Sequence, residues 1–166
     1  IIKEMINITP SSYYGNAAAI VQAVSSLGVD ANELLKEAGI NLLDYKDGLH
    51  RIPNELMAKY IKISIDNTDP SLSLKACDCL NPASYHALGI GLLYSDTLRS
   101  FCKRYECYFS LISTLLNVEY HEKKGIAFLT STAVIEDNEK VVNFDSDCFV
   151  AITLRFVRMI CGPDYK

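Results

Sequence analysis

Between Ala17 and Leu80 apolar side chains recur every three or four positions, and the recurrence is cut at Gly28, Gly39, Pro53 and Pro70. A period near 3.6 with such breakers restricts this stretch to short helices, because proline cannot extend the helical ladder and glycine accepts the left-handed conformation that ends it. Ala17, Ile20, Val21, Val24 and Leu27 predict a first helix over about 16–27. Asp30-Ala31-Asn32-Glu33 reads as a capping-box-like start for a second, which presents Leu34, Leu35 and Ala38 and closes at Gly39. Ile52-Pro53 begins a third, with Leu56, Met57, Tyr60, Ile61 and Ser64 as its inner stripe, since proline is preset for the first helical turn. Asp69-Pro70 restarts a short helix carrying Leu72, Leu74 and Cys77. Up to Leu80 the chain is expected to be all helical.

Beyond Asn81-Pro82 the pattern changes. His86 to Tyr94 is a small apolar segment containing two glycines, and Ser95-Asp96-Thr97 supplies cap residues for a long helix through about Leu116. Leu98, Phe101, Cys102, Tyr105, Phe109, Ile112 and Leu116 form one face, and Tyr108, Leu111 and Leu115 widen it, which predicts a nearly enclosed second half. Val118–His121 and Ile126–Thr132 flank Glu122-Lys123-Lys124-Gly125, a hairpin signal. Val134–Glu136 and Val141–Phe144 read as a second antiparallel pair about residues 137–140. A last helix over about 147–161 buries Phe149, Ile152, Thr153, Phe156, Val157 and Ile160 and stops at Gly162-Pro163. The fold class is therefore α+β: a helical first half, then a long helix, a small antiparallel sheet and a C-terminal helix.

Composition sets outer limits. The 166 residues, 49% hydrophobic and 22% charged, suit one domain over residues 1–166, helical to about 80 and α+β from about 81. Sixteen basic against twenty acidic side chains give a net charge of -4, the wrong sign for gripping DNA. No apolar run reaches the roughly 18 residues of a membrane span, and the amino end lacks a signal-peptide pattern, so a cytoplasmic location without membrane contact is expected. The chain opens on Ile1 and stops on Lys166 without a terminal element, which suggests a truncated domain. Six cysteines, at 77, 79, 102, 107, 148 and 161, lie mostly in helical patterns and read as reduced, buried thiols.

Candidate chemistry is sparse. His50, His86 and His121 have no companion at the spacing of a nucleophile or metal motif, and neither a Walker loop nor a Gly-x-Ser-x-Gly elbow is present. No catalytic residue, metal or cofactor is expected. Tyrosines are more informative: Tyr105 and Tyr108 share the helix expected to be most enclosed, with Arg104 adjacent and Tyr94 just upstream. Phenols need hydrogen-bond partners when buried, so several about one region suit a pocket for a small ligand, with His86 as an outlying contact. Arg99 and Arg104 could take an anion or serve as solvated charge, and Lys123 and Lys124 solvate the turn.

The run Leu88-Gly89-Ile90-Gly91-Leu92-Leu93-Tyr94-Ser95-Asp96-Thr97-Leu98, followed by Tyr105, resembles a signature in one N-terminal domain class of AraC-type bacterial transcription regulators. Leu27-Gly28-Val29-Asp30, Leu34-Leu35-x-x-Ala38-Gly39, Arg51-Ile52-Pro53, Asp69-Pro70-Ser71-Leu72-Ser73-Leu74 and Gly162-Pro163-Asp164-Tyr165 are similar to its other landmarks, in the same order along nearly the whole chain. Tyr94 departs from a small residue and Asp96 from a frequent proline. The resemblance implies a cytoplasmic, homodimeric regulator whose N-terminal domain senses a small-molecule effector. DNA would be bound by C-terminal helix-turn-helix motifs outside this sequence. The helical first half is unlike the β-barrel of the arabinose sensor, so arabinose is not the expected ligand. Two alternatives stand beside this: a ligand-independent dimerisation module of the same regulator, and a small cysteine/histidine enzyme.

Overall fold

The computed structural model describes residues 10–45, 51–134 and 138–165. The first strand, β1 (Ser11–Tyr13), runs directly into helix α1 (Tyr14–Ser26), and α2 (Ala31–Ala38) follows after Gly28. The Asp30 carboxylate accepts from the backbone N–H groups of Asn32 and Glu33 at 2.9 and 3.4 Å, which starts α2 where the sequence predicts it. A short 3-10 turn (Leu42–Tyr45) precedes strand β2 (Arg51–Pro53), helix α3 (Asn54–Asn67) and helix α4 (Leu72–Asp78). Next come a 3-10 turn (Pro82–Tyr85), helices α5 (His86–Leu93) and α6 (Leu98–Tyr108), a 3-10 turn (Phe109–Leu111), strands β3 (Leu116–Lys123) and β4 (Ile126–Ala133), and helix α7 (Glu139–Cys161). The α+β class holds, with two separate two-stranded antiparallel sheets, β1–β2 and β3–β4.

Three expectations are corrected. The first 80 residues are not wholly helical: β1 pairs with β2, Ser12 opposite Ile52, and Pro53 serves as N-cap rather than first-turn residue of α3. The long helix stops at Tyr108 instead of about Leu116, and its expected enclosed end is open at Tyr108 and Leu111, which are 45% and 50% exposed. The backbone of 112–114 is taken by β1 instead: Tyr13 N–H donates to the Ile112 carbonyl at 2.8 Å, and Thr114 N–H to that of Ser11 at 3.1 Å. From Leu116 burial then alternates, Leu116 and Val118 inward, Asn117 and Glu119 outward, as a half-buried strand requires. Finally, Val141–Phe144 is the start of α7 and not a strand; Asn138 caps it by accepting from Lys140 and Val141 N–H. The partner segment proposed for it lies largely outside the described residues.

The β3–β4 hairpin forms where predicted. Lys124 and Gly125 both have positive φ, +52° and +77°, the geometry whose twist matches that of the flanking strands. Arg99 of α6 grips Glu122 of β3 with two hydrogen bonds, 2.6 and 2.9 Å, and lowers that carboxyl to about 2.

Two hydrophobic clusters organise the interior. One gathers α1, α2 and α3 around Ile20, Val24, Met57 and Tyr60; the other gathers α5, α6, β3 and the middle of α7 around Leu92, Phe101, Tyr105 and Phe156. They are stitched by a polar seam. The Ser12 hydroxyl donates to Asn54 Oδ1 at 3.2 Å and lies 3.0 Å from that of Ser113, while Asn54 Nδ2 donates to Thr114 Oγ1 at 3.0 Å. Arg51 covers the seam's edge. Its guanidinium donates to Ser11 Oγ (2.9 Å) and to the carbonyls of Ser11 (2.8 Å), Ser110 (3.0 Å) and Leu111.

Two substitutions test this arrangement. A Cβ at Gly89 of α5 would stand 1.9 Å from the Pro82 carbonyl oxygen, so Gly89→Ala should lower stability by about 1–3 kcal/mol in urea titrations. Arg51→Met strands three carbonyls in two segments and should lower stability by about 2–4 kcal/mol, with native-state hydrogen exchange accelerating first at Tyr13 and Thr114.

Candidate functional site

The two clusters meet imperfectly around a cavity of about 70 Å³. A single water needs roughly 10–15 Å³ of such space, so the cavity has room for a handful of non-hydrogen atoms. Helix α1 contributes Asn16, Ala19 and Ile20; α3 contributes Met57 and Ile61; α6 and the turn after it contribute Tyr105 and Phe109. Helix α7 supplies Phe144, Asp145, Cys148, Phe149 and Ile152, and the polar seam borders the space at Ser12 and Ser113. Ala76 of α4, Leu80, Tyr85, and Ile112, Leu115 and Leu116 complete the wall.

Most of this wall is aromatic and aliphatic. The Tyr105 ring stacks on Phe149 at 5.9 Å with 13° between planes and meets Phe109 edge-on at 5.4 Å. Burial raises the phenols of Tyr85 and Tyr105 above their ordinary range, so both stay neutral near pH 7. Cys148 lies against Cys77 of α4; hydrogen bonding with that thiol, burial and nearby acidic groups all push its own thiol well above the usual value. Burial raises Cys79 and Cys102 as well. These are not the depressed thiols that nucleophilic catalysis needs. All six cysteines are free, and Cys107 and Cys161 are exposed rather than buried as the sequence suggested.

Asp145 stands out in this setting. Its residue keeps some surface in contact with solvent, but its carboxyl is crowded by protein atoms that raise it to about 7. It is the one carboxylate among the described residues that line the cavity, and it forms no hydrogen bond or ion pair among them.

Of the residues singled out from sequence, Tyr105 lines the cavity. Tyr94, at the end of α5, is 81% exposed, and Tyr108 points away on the open side of α6. The Arg104 guanidinium donates to the Gly91 carbonyl and to Ser95 Oγ (3.1 Å), tying the end of α5 to α6. Arg99 is engaged with Glu122. His86 opens α5, its side chain lying outside what is described, as does all of His50; His121 stacks on Phe128 in the hairpin. Sequence reasoning missed Asp145, Cys148, Ser12 and Asn16. A signal for Asp145 exists: Val141, Asp145, Cys148, Phe149 and Ile152 lie on one helical face once α7 is carried back to Asn138.

Asp145 gives a pH-dependent prediction. Its folded value of about 7 exceeds the roughly 3.9 of an unfolded aspartate, so folding takes up a proton between those limits. The group's contribution is most favourable below about pH 4, declines as pH rises toward 7 and is level above it. Asp145→Asn should remove that decline and raise stability at about pH 8 by about 2 kcal/mol, allowing for residual solvent screening; urea titrations across pH check both effects.

A family model described as the arabinose-binding domain of AraC transcription regulators, N-terminal, matches residues 28–166. Comparison with curated proteins finds no match. The match spans α2 through α7 and includes every segment of the cavity wall except β1 and α1. The chain thus belongs to the family of N-terminal arabinose-binding domains of AraC transcription regulators.

Proposed function

We propose that this chain is the effector-sensing region of an AraC-type regulator and that the cavity between its two clusters is where the effector binds. The observation that carries the reading is the cavity itself. Folded interiors are normally packed to crystal density, and here a mainly apolar space with a few polar groups is enclosed by α1, α3, α4, α6 and α7 with β1 and the start of β3. The family is a regulatory one, which supports sensing rather than turnover. No described helix is long and apolar enough to cross a membrane. The proposed setting is the cytoplasm, with promoter DNA bound by a separate helix-turn-helix part of the regulator.

The mechanism is a population shift. Filling the cavity favours the arrangement in which α7, α6 and α1 close on the ligand, and any ligand that prefers one arrangement biases whatever is coupled to it. Of the contacts predicted from sequence, Tyr105 is the one this proposal retains at the ligand; Arg104 holds α5 in place, while Tyr94, Tyr108 and His86 are assigned no contact.

A second reading, pairing of subunits without a ligand, is favoured by one surface. Val150 and Leu154 leave an apolar patch on α7, 62% and 37% exposed, beside Ala127 and Leu129 of the hairpin.

Ala76→Leu decides between them. Ala76 is buried at the cavity wall, and three added carbons fill the space. In a thermal-shift screen of small metabolites, compounds that stabilise the parent protein should fail with Ala76→Leu, and the same compounds should alter promoter occupancy by the whole regulator. A ligand at a hundred times its Kd adds about 2.7 kcal/mol, which a shift assay detects. A dimer indifferent to every compound, with regulation unchanged by Ala76→Leu, would establish the pairing module instead.

A further inference from the structure

Five aromatic rings, those of Tyr85, Tyr105, Phe109, Phe144 and Phe149, border the cavity, together with the single carboxylate of Asp145. No lysine, arginine or histidine is among the described residues of its wall. The other titratable side chains at the wall are Tyr85 from the 3-10 turn before α5, Tyr105 from α6 and Cys148 from α7, with Cys77 of α4 and Asp147 of α7 close to Cys148. From α1, α3 and the strand-borne seam come only Asn16, Ser12, Ser113 and apolar groups. Asn16 donates through Nδ2 to the Ile112 carbonyl at 3.4 Å, which leaves its amide oxygen as an acceptor.

A crowded carboxyl without a counter-charge favours its neutral form, and an incoming cation restores the ionised one. Aromatic faces attract the same cation through their quadrupoles. A carboxylic acid would find no positive partner here, and an alcohol would leave the carboxyl uncompensated. We propose that the cavity takes a small amine, its ammonium paired with Asp145 and its hydrocarbon part packed on Met57, Ile61, Tyr105 and Phe149. This rests on the cavity being the effector site and names the chemical class of effector.

Binding then displaces the proton that Asp145 holds in the empty protein below about pH 7. An alkylammonium remains charged throughout that range, as lysine does, so amine affinity should rise about tenfold per pH unit up to about pH 7 and level off above it.

Isobutylamine, isobutanol and isobutyric acid are near-isosteric probes small enough for the space. By titration calorimetry on the protein at about pH 8, isobutylamine should bind at least tenfold more tightly than isobutanol, and Asp145→Asn should abolish that advantage. The pH profile of the unsubstituted protein stands as an independent readout should Asp145→Asn fold poorly. Equal binding of amine and alcohol, undiminished in Asp145→Asn, would overturn the amine assignment while leaving the cavity as a binding site. Isobutyric acid binding best, and better as pH falls, would overturn it in favour of an acid. No binding by any probe, together with regulation indifferent to Ala76→Leu, would overturn both this inference and the effector reading.

Discussion

Everything in the interior depends on a few polar side chains that satisfy one another where water is excluded. Ser12, Asn54 and Ser113 are 1%, 3% and 9% exposed, and each sits where an unpaired polar group would cost on the order of 1–3 kcal/mol. They avoid that penalty only when β1, the start of α3 and the segment after α6 are brought together, because each hydroxyl or amide finds its partner on a different segment. Arg51 extends the same logic to backbone carbonyls. Its planar fork reaches Ser11, Ser110 and Leu111 at once, and burial lowers its pKa by disfavouring the charged form. The seam therefore sets the register between the two hydrophobic clusters, which apolar contact, being without direction, would leave free to slide.

A fixed register brings the cavity with it. Hydrogen bonds at the seam hold the Ser12 and Ser113 hydroxyls about 3.0 Å apart, and α7 is tied to α4 and the residues after it by the Arg155 guanidinium, which donates to the Cys77 and Leu80 carbonyls at 2.8 and 2.9 Å. Between these anchors the side chains of α1, α3, α6 and α7 cannot all close on one another. The space that remains is walled by rings, and Asp145 borders it. A fully exposed aspartate would be solvated; this one is raised to about 7 because protein atoms have replaced much of that water. A carboxyl left without a hydrogen-bond partner at the wall of an aromatic-lined cavity carries information about what is meant to meet it.

Local signals in the chain were read correctly where one residue type has one physical use. Asp30 capping α2, Gly39 ending it, Thr97 capping α6 and Gly125 turning the hairpin are all in place. Misreadings cluster where two conformations suit the same residues. The apolar run from Phe109 to Leu116 has helical spacing, yet its second part pairs with β1 and feeds β3. Asn138 suits a turn and a helix N-cap equally, and taking it as a turn hid the first eight residues of α7, and with them Asp145. Tyr94, Arg104 and Tyr108 are neighbours of Tyr105 in sequence but not of the cavity, because sequence adjacency does not fix which face of α6 is covered.

The amino-acid sequence by itself determined the short helices, the hairpin, the acidic balance and the family, because caps, breakers, periodicity and ordered landmarks act over a few residues and need no partner. Which face of α6 is covered, where that helix gives way to strand, and which carboxyl stands beside the cavity were decided only by tertiary structure. Those outcomes depend on pairings such as Ser12 with Ser113 and Cys77 with Cys148, between segments some seventy to a hundred residues apart. Burial and its effect on an ionisable group are properties of such pairings, and no local pattern encodes them.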